Sequence, residues 1–360
     1  MSAPAPVNLL DMELLARERL SHMTWDYYAG AAEDELTLES NRAAWGELEL
    51  RYRVLTGVGD RDLSTTVCGQ RVGWPVLVAP TAFHGLACDE AELATARATA
   101  ASDTAMVLST LSNTGVEDVI AAAGDAPVLF QLYVYRDRGR TEELVDRVVE
   151  AGAQALVLTV DAPVWGRREA DQRNRFSLPD GLGIANLGGD ATGDLPHDVD
   201  GSGLAAYVMS FFDPDLGWKD VEWLRSLTDL PILVKGLVRG DDAAHAVSAG
   251  ASGVVVSNHG GRQLDGAIAT ARALPDVVDA VGDRAEVLVD GGIRRGTDVV
   301  RALALGARAV MLGRPVLWGL AVDGQQGVED VLSMLRTELD ISVALCGART
   351  PAGLGPDLIA

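Results

Sequence analysis

The stretch Gly253-Val254-Val255-Val256-Ser257-Asn258-His259-Gly260-Gly261-Arg262 joins an apolar run to an imidazole, two glycines and a guanidinium. Small apolar residues in an unbroken run are typical of a parallel strand that is covered on both faces. The polar residues then follow the carboxyl end of that strand, where the glycines leave room for a ligand. His259 and Arg262 therefore predict a base beside an anion-binding cation, which suits proton removal from a substrate that carries a carboxylate.

Similar apolar runs recur along the chain and alternate with helical patterns. We predict eight strands, at residues 75–83, 105–110, 127–133, 155–161, 231–236, 253–258, 286–291 and 309–314. Eight β/α units favour a closed α/β barrel, the (β/α)8 TIM barrel, which needs about 250 residues. The alternative is an open doubly wound sheet. That fold would require a Gly-x-Gly-x-x-Gly turn after an early strand, and the sequence has none.

We predict a single domain over residues 1–360, with the barrel at about 75–320. Three segments are expected outside the barrel: amphipathic N-terminal helices at 8–45, a mobile loop at about 183–215, and a C-terminal helix at about 328–346. The loop belongs to a connection after the fourth strand that is too long for an ordinary βα loop. Its Gly- and Asp-rich middle, 188–203, predicts disorder or a lid.

The composition excludes several classes of function. A net charge of −22 opposes binding to nucleic acid and to anionic membranes. No stretch is long and apolar enough to span a bilayer, and the N-terminus lacks the pattern of a signal peptide. Three scattered cysteines have no metal-ligand spacing and indicate a reducing compartment. We therefore expect a cytoplasmic protein that acts on a small molecule and holds no metal.

Polar residues follow nearly every predicted strand. In a barrel these strand ends meet at one mouth, where active sites lie. The polar residues concerned include Thr81, Ser109, Gln131, Tyr133, Thr159, Asp161, Lys235, Ser257, Asp290 and Arg314. One or two of them would mean little, because strands often end in polar turns. Eight polar strand ends together predict a ligand site.

The last two strand ends predict a phosphate site. Asp290-Gly291-Gly292-Ile293-Arg294 follows the seventh strand, and Gly313-Arg314 follows the eighth, just before a helix. Glycines let backbone amides approach phosphate oxygens, and arginine binds them bidentately. The alternative is that these glycines only turn the chain.

Three more side chains are candidates for the chemistry. Lys235 is expected to point into the mouth, where a buried lysine needs an anion. It could neutralise the anion of a reduced flavin, form a Schiff base, or make a structural salt bridge. Asp161 is a candidate partner that fixes the tautomer of His259. Arg168 could share a substrate carboxylate with Arg262, although paired arginines in loops usually face solvent.

Seven separated motifs occur in the order found in one known family. They are Trp25-Asp26-Tyr27-Tyr28-Ala29-Gly30-Ala31, Pro80-Thr81-Ala82, Gln131-Leu132-Tyr133, Gly166-Arg167-Arg168-Glu169-Ala170-Asp171, Lys235-Gly236, the 257–262 segment, and 290–295 with Gly313-Arg314-Pro315. They resemble the FMN-dependent 2-hydroxy acid oxidases and dehydrogenases, which include glycolate oxidase, lactate oxidase and mandelate dehydrogenase. The resemblance covers residues 9–354 and implies a TIM barrel with FMN as cofactor.

The resemblance also implies roles. His259 is the implied base, with Asp161 beside it and Lys235 near flavin N1 and O2. The residues implied to bind the substrate are Tyr27, Tyr133, Arg168 and Arg262. Those implied to contact the flavin ring and ribityl chain are Pro80, Thr81, Ala82, Ser109, Gln131, Thr159 and Ser257. Those implied at the ribityl and phosphate end are Asp290, Gly291, Gly292, Arg294, Gly313 and Arg314.

Departures from the glycolate oxidase pattern concern the substrate side chain. Leu111 stands where that enzyme has a tryptophan, and Phe83 and His84 follow Ala82. A smaller side chain opens volume, and Phe83 and His84 could meet an aromatic group. This region is similar to hydroxymandelate oxidases. We therefore expect an aryl or bulky (S)-2-hydroxy acid such as mandelate or 4-hydroxymandelate; a small aliphatic one, lactate or glycolate, is the alternative.

The sequence also bears on the electron acceptor and on two other classes of protein. The polar fourth loop differs from the hydrophobic segment of membrane-bound mandelate dehydrogenases, which favours a soluble enzyme. Soluble members of the family often use oxygen, so we expect oxygen as acceptor; a dehydrogenase with another acceptor is the alternative. A type 2 isopentenyl diphosphate isomerase would need a diphosphate and Mg²⁺ site instead of a carboxylate site. A protein that binds flavin but catalyses no reaction would not need His259, Arg262, Lys235 and Asp161 together. The resemblance further implies a homotetramer.

Overall fold

The computed structural model describes residues 5–187, 195–196 and 201–360. Parallel strands close into an eight-stranded barrel there, so the predicted (β/α)8 fold is confirmed. The strands are β1 (Thr65–Val67), β2 (Gln70–Val72), β3 (Val76–Val78), β4 (Met106–Ser109), β5 (Val128–Leu132), β6 (Leu156–Thr159), β7 (Ile232–Leu237), β8 (Gly253–Val256), β9 (Glu286–Val289) and β10 (Ala309–Leu312). The strands β3 to β10 follow one another around the ring, and β10 pairs with β3 to close it.

Helices cover the outside of the barrel. They are α1 (Leu9–Arg19), α2 (His22–Ala29), α3 (Leu36–Glu47), α4 (Ala91–Ala101), α5 (Val116–Ala123), α6 (Arg138–Ala151), α7 (Glu169–Arg173), α8 (Gly203–Phe211), α9 (Trp218–Leu227), α10 (Gly240–Ser248), α11 (Thr270–Val281), α12 (Gly296–Ala304) and α13 (Arg314–Leu345). Helical dihedral angles are interrupted at Asp323 and Gly324. The last barrel helix and the C-terminal helix are therefore the two parts of α13. Within the described residues, no helix combines the length and apolarity needed to cross a bilayer.

Aliphatic side chains fill the inside of the barrel. They form a buried cluster separate from the larger one between strands and helices: Leu77, Val107, Leu129, Val157, Leu233, Val255, Leu288 and Met311 are among its members. Such layers make a barrel interior a solid core and not a pore. Val67 and Val72, from the β1–β2 hairpin, belong to the same cluster. The hairpin therefore closes the amino-terminal end of the barrel, and a ligand has to enter at the carboxyl end.

The N-terminal helices reach that carboxyl end. Asn41 of α3 exchanges two amide hydrogen bonds of 2.8 Å with Asn258, which follows β8. Trp45, one turn later, donates from its indole to the Gly291 carbonyl at 2.8 Å. Helix α3 therefore packs directly on the loops after β8 and β9.

The long connection after β6 contains α7 and α8. Its returning end is fixed by Arg138, which pairs with Asp213 at 2.6 Å and with Asp220 at 2.9 Å. Residues 188–194 and 197–200 lie outside the described residues, and with them most of the 188–203 segment for which disorder or a lid was predicted.

Candidate active site

A cavity of about 1010 Å³, including its open mouth, lies at the carboxyl ends of the barrel strands. The predicted residues that line it are Tyr27, Pro80, Thr81, Ala82, Ser109, Leu111, Gln131, Tyr133, Thr159, Arg168, Lys235, His259, Arg262, Asp290, Gly291, Gly292, Arg294, Gly313 and Arg314. Asp161 and Ser257 are not at its wall, but each is hydrogen-bonded to a residue that is.

Phe83 and His84 are the exceptions among the predicted residues. Both are fully buried and neither lines the cavity. Phe83 adopts a left-handed conformation with φ of 61°, and its carbonyl accepts a 2.6 Å hydrogen bond from the Tyr28 hydroxyl. This turn directs both side chains into the protein, where His84 contacts Thr81 and the Phe83 ring lies 6.0 Å from that of Tyr27. The sequence-based expectation that they meet the substrate is not what the structure shows.

His259 and Asp161 form a largely buried pair, with side chains 18% and 10% exposed. The Nδ1 atom of His259 lies 2.8 Å from Oδ1 of Asp161, which leaves Nε2 as the ring nitrogen available to the cavity. Burial lowers the pKa of His259, against the opposing charge of Asp161. Burial alone would raise the pKa of Asp161, but His259 and Lys235 bring it below its ordinary value. A neutral imidazole oriented by a carboxylate has the properties of a general base.

Lys235 brings a positive charge to the same cavity. Its Nζ donates to Ser257 Oγ at 3.0 Å and lies 3.3 Å from Asp290 Oδ2. Burial alone would lower the pKa of Lys235, but Asp290 and Asp161 raise it, so the ammonium stays charged. The anion that a buried lysine needs is therefore partly supplied by the protein.

Arg168 and Arg262 provide two cations on one side of the cavity. Arg168 donates to the Arg262 carbonyl at 3.2 Å and stacks 3.6 Å from the centre of the Trp165 ring. Burial and the neighbouring Arg262 lower the pKa of Arg168 to about 9. Arg262 donates to the Tyr27 carbonyl at 2.6 Å. A buried and a partly buried guanidinium on one side of the cavity favour the binding of an anion such as a substrate carboxylate.

Two tyrosines stand close to these arginines. The Tyr27 ring stacks on Phe176 with 4.1 Å between centroids, and Tyr133 stacks on Phe212 at 4.6 Å. Burial raises the pKa of both phenols, so both hydroxyls remain protonated hydrogen-bond donors. The stacking partners fix the direction of each ring.

Several buried polar atoms at the strand ends have no hydrogen-bond partner within the described residues. In the cavity wall they are Gln131 Nε2, Thr159 Oγ1, Asp290 Oδ1 and Arg294 Nε. Buried polar groups without partners are costly in a folded protein and point to a ligand that satisfies them. Donors at the ends of β5 and β6 and a carboxylate after β9 suit the carbonyls, ring nitrogens and ribityl hydroxyls of a flavin. The residues present therefore fit FMN.

Arg294 and Arg314 form the far end of the cavity. Burial, with Arg42 nearby, lowers the pKa of Arg294 to about 10. Burial, with Arg262 and Arg294 nearby, holds the pKa of Arg314 well below its ordinary range. Two partly buried cations in the same cavity as Gly292 suit a phosphate.

Arg314 has an additional role that the sequence did not reveal. It donates to the backbone carbonyls of Tyr28 at 3.0 Å, Gly30 at 2.9 Å and Gly260 at 3.0 Å. The residue after β10 therefore ties the end of α2 to the loop after β8. Two further residues were missed: Trp165 beside Arg168, and Asp171, a buried carboxylate in the same motif. Burial raises the pKa of Asp171 against the lowering effect of Arg262 and Arg168.

This fold and this site define a class of protein, the flavin-dependent barrel oxidoreductases. Residues 16–360 match the family model described as FMN-dependent dehydrogenase. The chain is 54% identical to an L-lactate oxidase of Nostoc sp., with 95% of each chain covered. It is 50% identical to a glycolate oxidase of Arabidopsis thaliana, covering 95% of this chain and 93% of that one.

Similar solved structures are of the same kind as the sequence relatives, since they too are 2-hydroxy acid oxidases. A mandelate oxidase crystallised with (S)-4-hydroxymandelic acid superposes with a TM-score of 0.91 at 40% identity, covering 96% of this chain and 97% of that one. The chain belongs to the FMN-dependent dehydrogenase family. Its cofactor is FMN, and it is an enzyme of the 2-hydroxy acid oxidase kind.

Proposed function

We propose that the protein oxidises a small aliphatic (S)-2-hydroxy acid, with L-lactate as the first candidate, to the 2-oxo acid. Oxygen is the proposed acceptor and hydrogen peroxide the second product. The observation that carries the reaction is the His259–Asp161 pair in a cavity that also holds Arg168 and Arg262. The identity of 54% to an L-lactate oxidase supports the choice of substrate.

The position of Phe83 and His84 also supports a small substrate. Phe83 and His84 were part of the reason for expecting an aryl group, beside Leu111, and both are buried and absent from the cavity wall. Trp165 lies at the wall instead and stacks on Arg168, one of the proposed carboxylate ligands. An indole so close to the carboxylate end limits the room for the rest of the substrate.

The side chains at the cavity wall have separate tasks. Arg168 and Arg262 bind the carboxylate, and Tyr133 donates a hydrogen bond to the substrate. This fixes the 2-hydroxyl group near His259 Nε2, which accepts its proton. Asp161 then stabilises the imidazolium through Nδ1. When bound, FMN supplies the two-electron oxidation at carbon 2 of the substrate.

Lys235 contributes electrostatically. Its buried ammonium is proposed to lie beside the flavin, where a fixed positive charge favours the arrival of electrons. Because Asp290 and Ser257 already hold Nζ in place, this charge needs no rearrangement during the reaction.

An aryl 2-hydroxy acid is the second candidate. The observation in its favour is Leu111, which lines the cavity and leaves more room than a larger side chain would. The structural similarity to a mandelate oxidase points the same way.

Anaerobic mixing with single substrates separates these candidates. We expect (S)-lactate to bleach the flavin faster than (R)-lactate, glycolate and either enantiomer of mandelate, and air to restore the colour with formation of peroxide. Leu111→Ala enlarges the wall and should shift the ratio of kcat/KM towards mandelate by about tenfold or more. Faster bleaching by (S)-mandelate in the unchanged protein would favour the second candidate, and no bleaching by any of them would contradict both.

A cytoplasmic location and a homotetrameric assembly remain proposals that follow from the sequence.

A further inference from the structure

His84 is the middle member of a hydrogen-bonded chain of three side chains that runs from the interior to the cavity. Its Nε2 lies 2.7 Å from the Thr81 hydroxyl, and its Nδ1 lies 2.9 Å from the Thr95 hydroxyl of α4. Thr81 lines the cavity, whereas His84 and Thr95 are fully buried. The imidazole therefore connects a hydroxyl at the proposed flavin site with a hydroxyl inside the protein.

The backbone of His84 is held in place as well. Its N–H donates to Glu92 Oε1 at 3.1 Å, and the same oxygen accepts from the Asn113 N–H at 3.1 Å. Thr114 donates to the other carboxylate oxygen at 2.9 Å. Glu92 thus joins the loops after β3 and β4 and fixes the His84 backbone, while the ring is held by Thr81 and Thr95.

The hydrogen bonds determine which ring nitrogen carries the proton. Within the described part of the chain, the Thr95 hydroxyl has the His84 ring as its sole hydrogen-bond partner. A buried hydroxyl with an unused hydrogen is costly, so Thr95 has to donate to Nδ1. In a neutral ring the proton then resides on Nε2 and is donated to Thr81 Oγ1. Burial lowers the pKa of His84, which keeps the ring neutral.

The position of the proton on His84 determines whether the Thr81 hydroxyl presents a hydrogen or a lone pair to the cavity. Because its oxygen accepts from His84, the hydrogen of its own hydroxyl is left for the cavity. The opposite tautomer would reverse this, and Thr81 would present only lone pairs. We propose that His84 is a positioning residue that fixes the Thr81 hydroxyl as a hydrogen-bond donor to the flavin. This inference rests on the proposed contact between Thr81 and FMN.

A donor to the flavin favours its electron-rich reduced form. Loss of that donor should lower the midpoint potential, shift the absorption spectrum and slow reduction by substrate about three- to tenfold. His84→Leu removes both ring nitrogens, and Thr81→Val removes the hydroxyl. His84→Gln is the matched control, because its amide can donate to Thr81 and accept from Thr95.

The test compares these holoenzymes by spectrum, midpoint potential and anaerobic reduction rate. We expect His84→Leu and Thr81→Val to shift the potential and spectrum in the same direction, His84→Gln to stay near the unchanged protein, and the double variant to equal Thr81→Val alone. Full additivity in the double variant, or equal damage from Gln and Leu, would overturn the inference.

Two further readouts keep the test decisive. If His84→Leu does not fold, Thr95→Val frees the tautomer and should move the spectrum in the direction of Thr81→Val; an unchanged spectrum overturns the inference. A Thr81→Val protein with unchanged spectrum and potential shows that Thr81 does not contact the flavin, and also overturns it. Because the spectrum and the midpoint potential need FMN alone, they hold even if L-lactate is the wrong substrate.

Discussion

His259 is held in the form that a general base requires. Burial lowers its pKa, and Asp161 holds Nδ1 at 2.8 Å, so the ring is neutral and its Nε2 faces the cavity. Asp161 also limits the cost of the charge that the ring gains during the reaction. The two residues therefore combine a neutral resting state with a stabilised protonated state.

The lowered pKa of His259 predicts how the protein responds to acid. Because of this lowered pKa, His259 is still neutral somewhat below pH 6.5, which is about the ordinary pKa of a histidine. The rate of flavin reduction by substrate should therefore begin to fall only below that pH. In the unfolded chain this histidine takes up a proton at about pH 6.5, whereas in the folded protein it does so only at lower pH. The free energy of unfolding should therefore decrease as the pH falls from about 6.5. Stopped-flow measurement of flavin reduction over a range of pH tests the predicted rate profile. A rate that already falls at a pH above about 6.5 contradicts it.

Arg168 offers a test of the carboxylate site with a control next to it in sequence. Arg168→Met removes a buried cation from the cavity and should weaken substrate binding by about 10- to 100-fold. Arg167 has an exposed side chain that pairs with Glu169 at 3.7 Å. Arg167→Met should leave the apparent Kd of the substrate unchanged. Equal effects of the two changes would contradict the assignment of Arg168.

At the scale of elements, α3 forms the back of the proposed phosphate site. Gly292 has φ of 84°, and a Cβ at this residue would come within 2.1 Å of the Asn41 carbonyl oxygen. Only glycine permits both the left-handed conformation and this close approach of helix and loop. The alignment of the phosphate loop therefore depends on a helix from the opposite end of the chain.

Gly292→Ala should displace α3 from the loop after β9. We expect FMN to bind at least about tenfold more weakly and the melting temperature to fall by several degrees, on the order of a 2–3 kcal/mol loss. Gly282→Ala is the control, because Gly282 also has positive φ, 57°, but no atom lies within 4 Å of the added Cβ. Flavin fluorescence titration gives the FMN affinity of the two variants, and thermal unfolding gives their melting temperatures. A normal FMN affinity in Gly292→Ala contradicts the proposed role of α3.

At the scale of the whole molecule, the barrel could be predicted well because its sequence signals are local. Apolar runs, helix periodicity and strand-end residues such as Lys235 and Asp290 need no knowledge of distant contacts. The orientation of Phe83 and His84 was not predicted, because a left-handed turn at Phe83 reverses the expected direction of both side chains. No propensity rule indicates φ of 61° at a phenylalanine.

Contacts between distant segments were equally inaccessible to sequence reasoning. Arg314 was expected at a phosphate, and nothing in its surroundings revealed that it also holds the carbonyls of Tyr28 and Gly30. Trp165 was missed although it lies close to Arg168 in sequence, because an aromatic residue in a long loop has no distinctive pattern. Both facts depend on how the N-terminal segment and the long connection pack over one mouth.

The central claim is that His259 serves as the base for oxidation of a 2-hydroxy acid by bound FMN. Single-turnover anaerobic reduction by (S)-lactate, compared between the unchanged protein and His259→Ala, tests it most directly. We predict that the variant retains its yellow FMN but is reduced about 10²- to 10⁴-fold more slowly. Reduction of the FMN-loaded variant at close to the unchanged rate would contradict the claim.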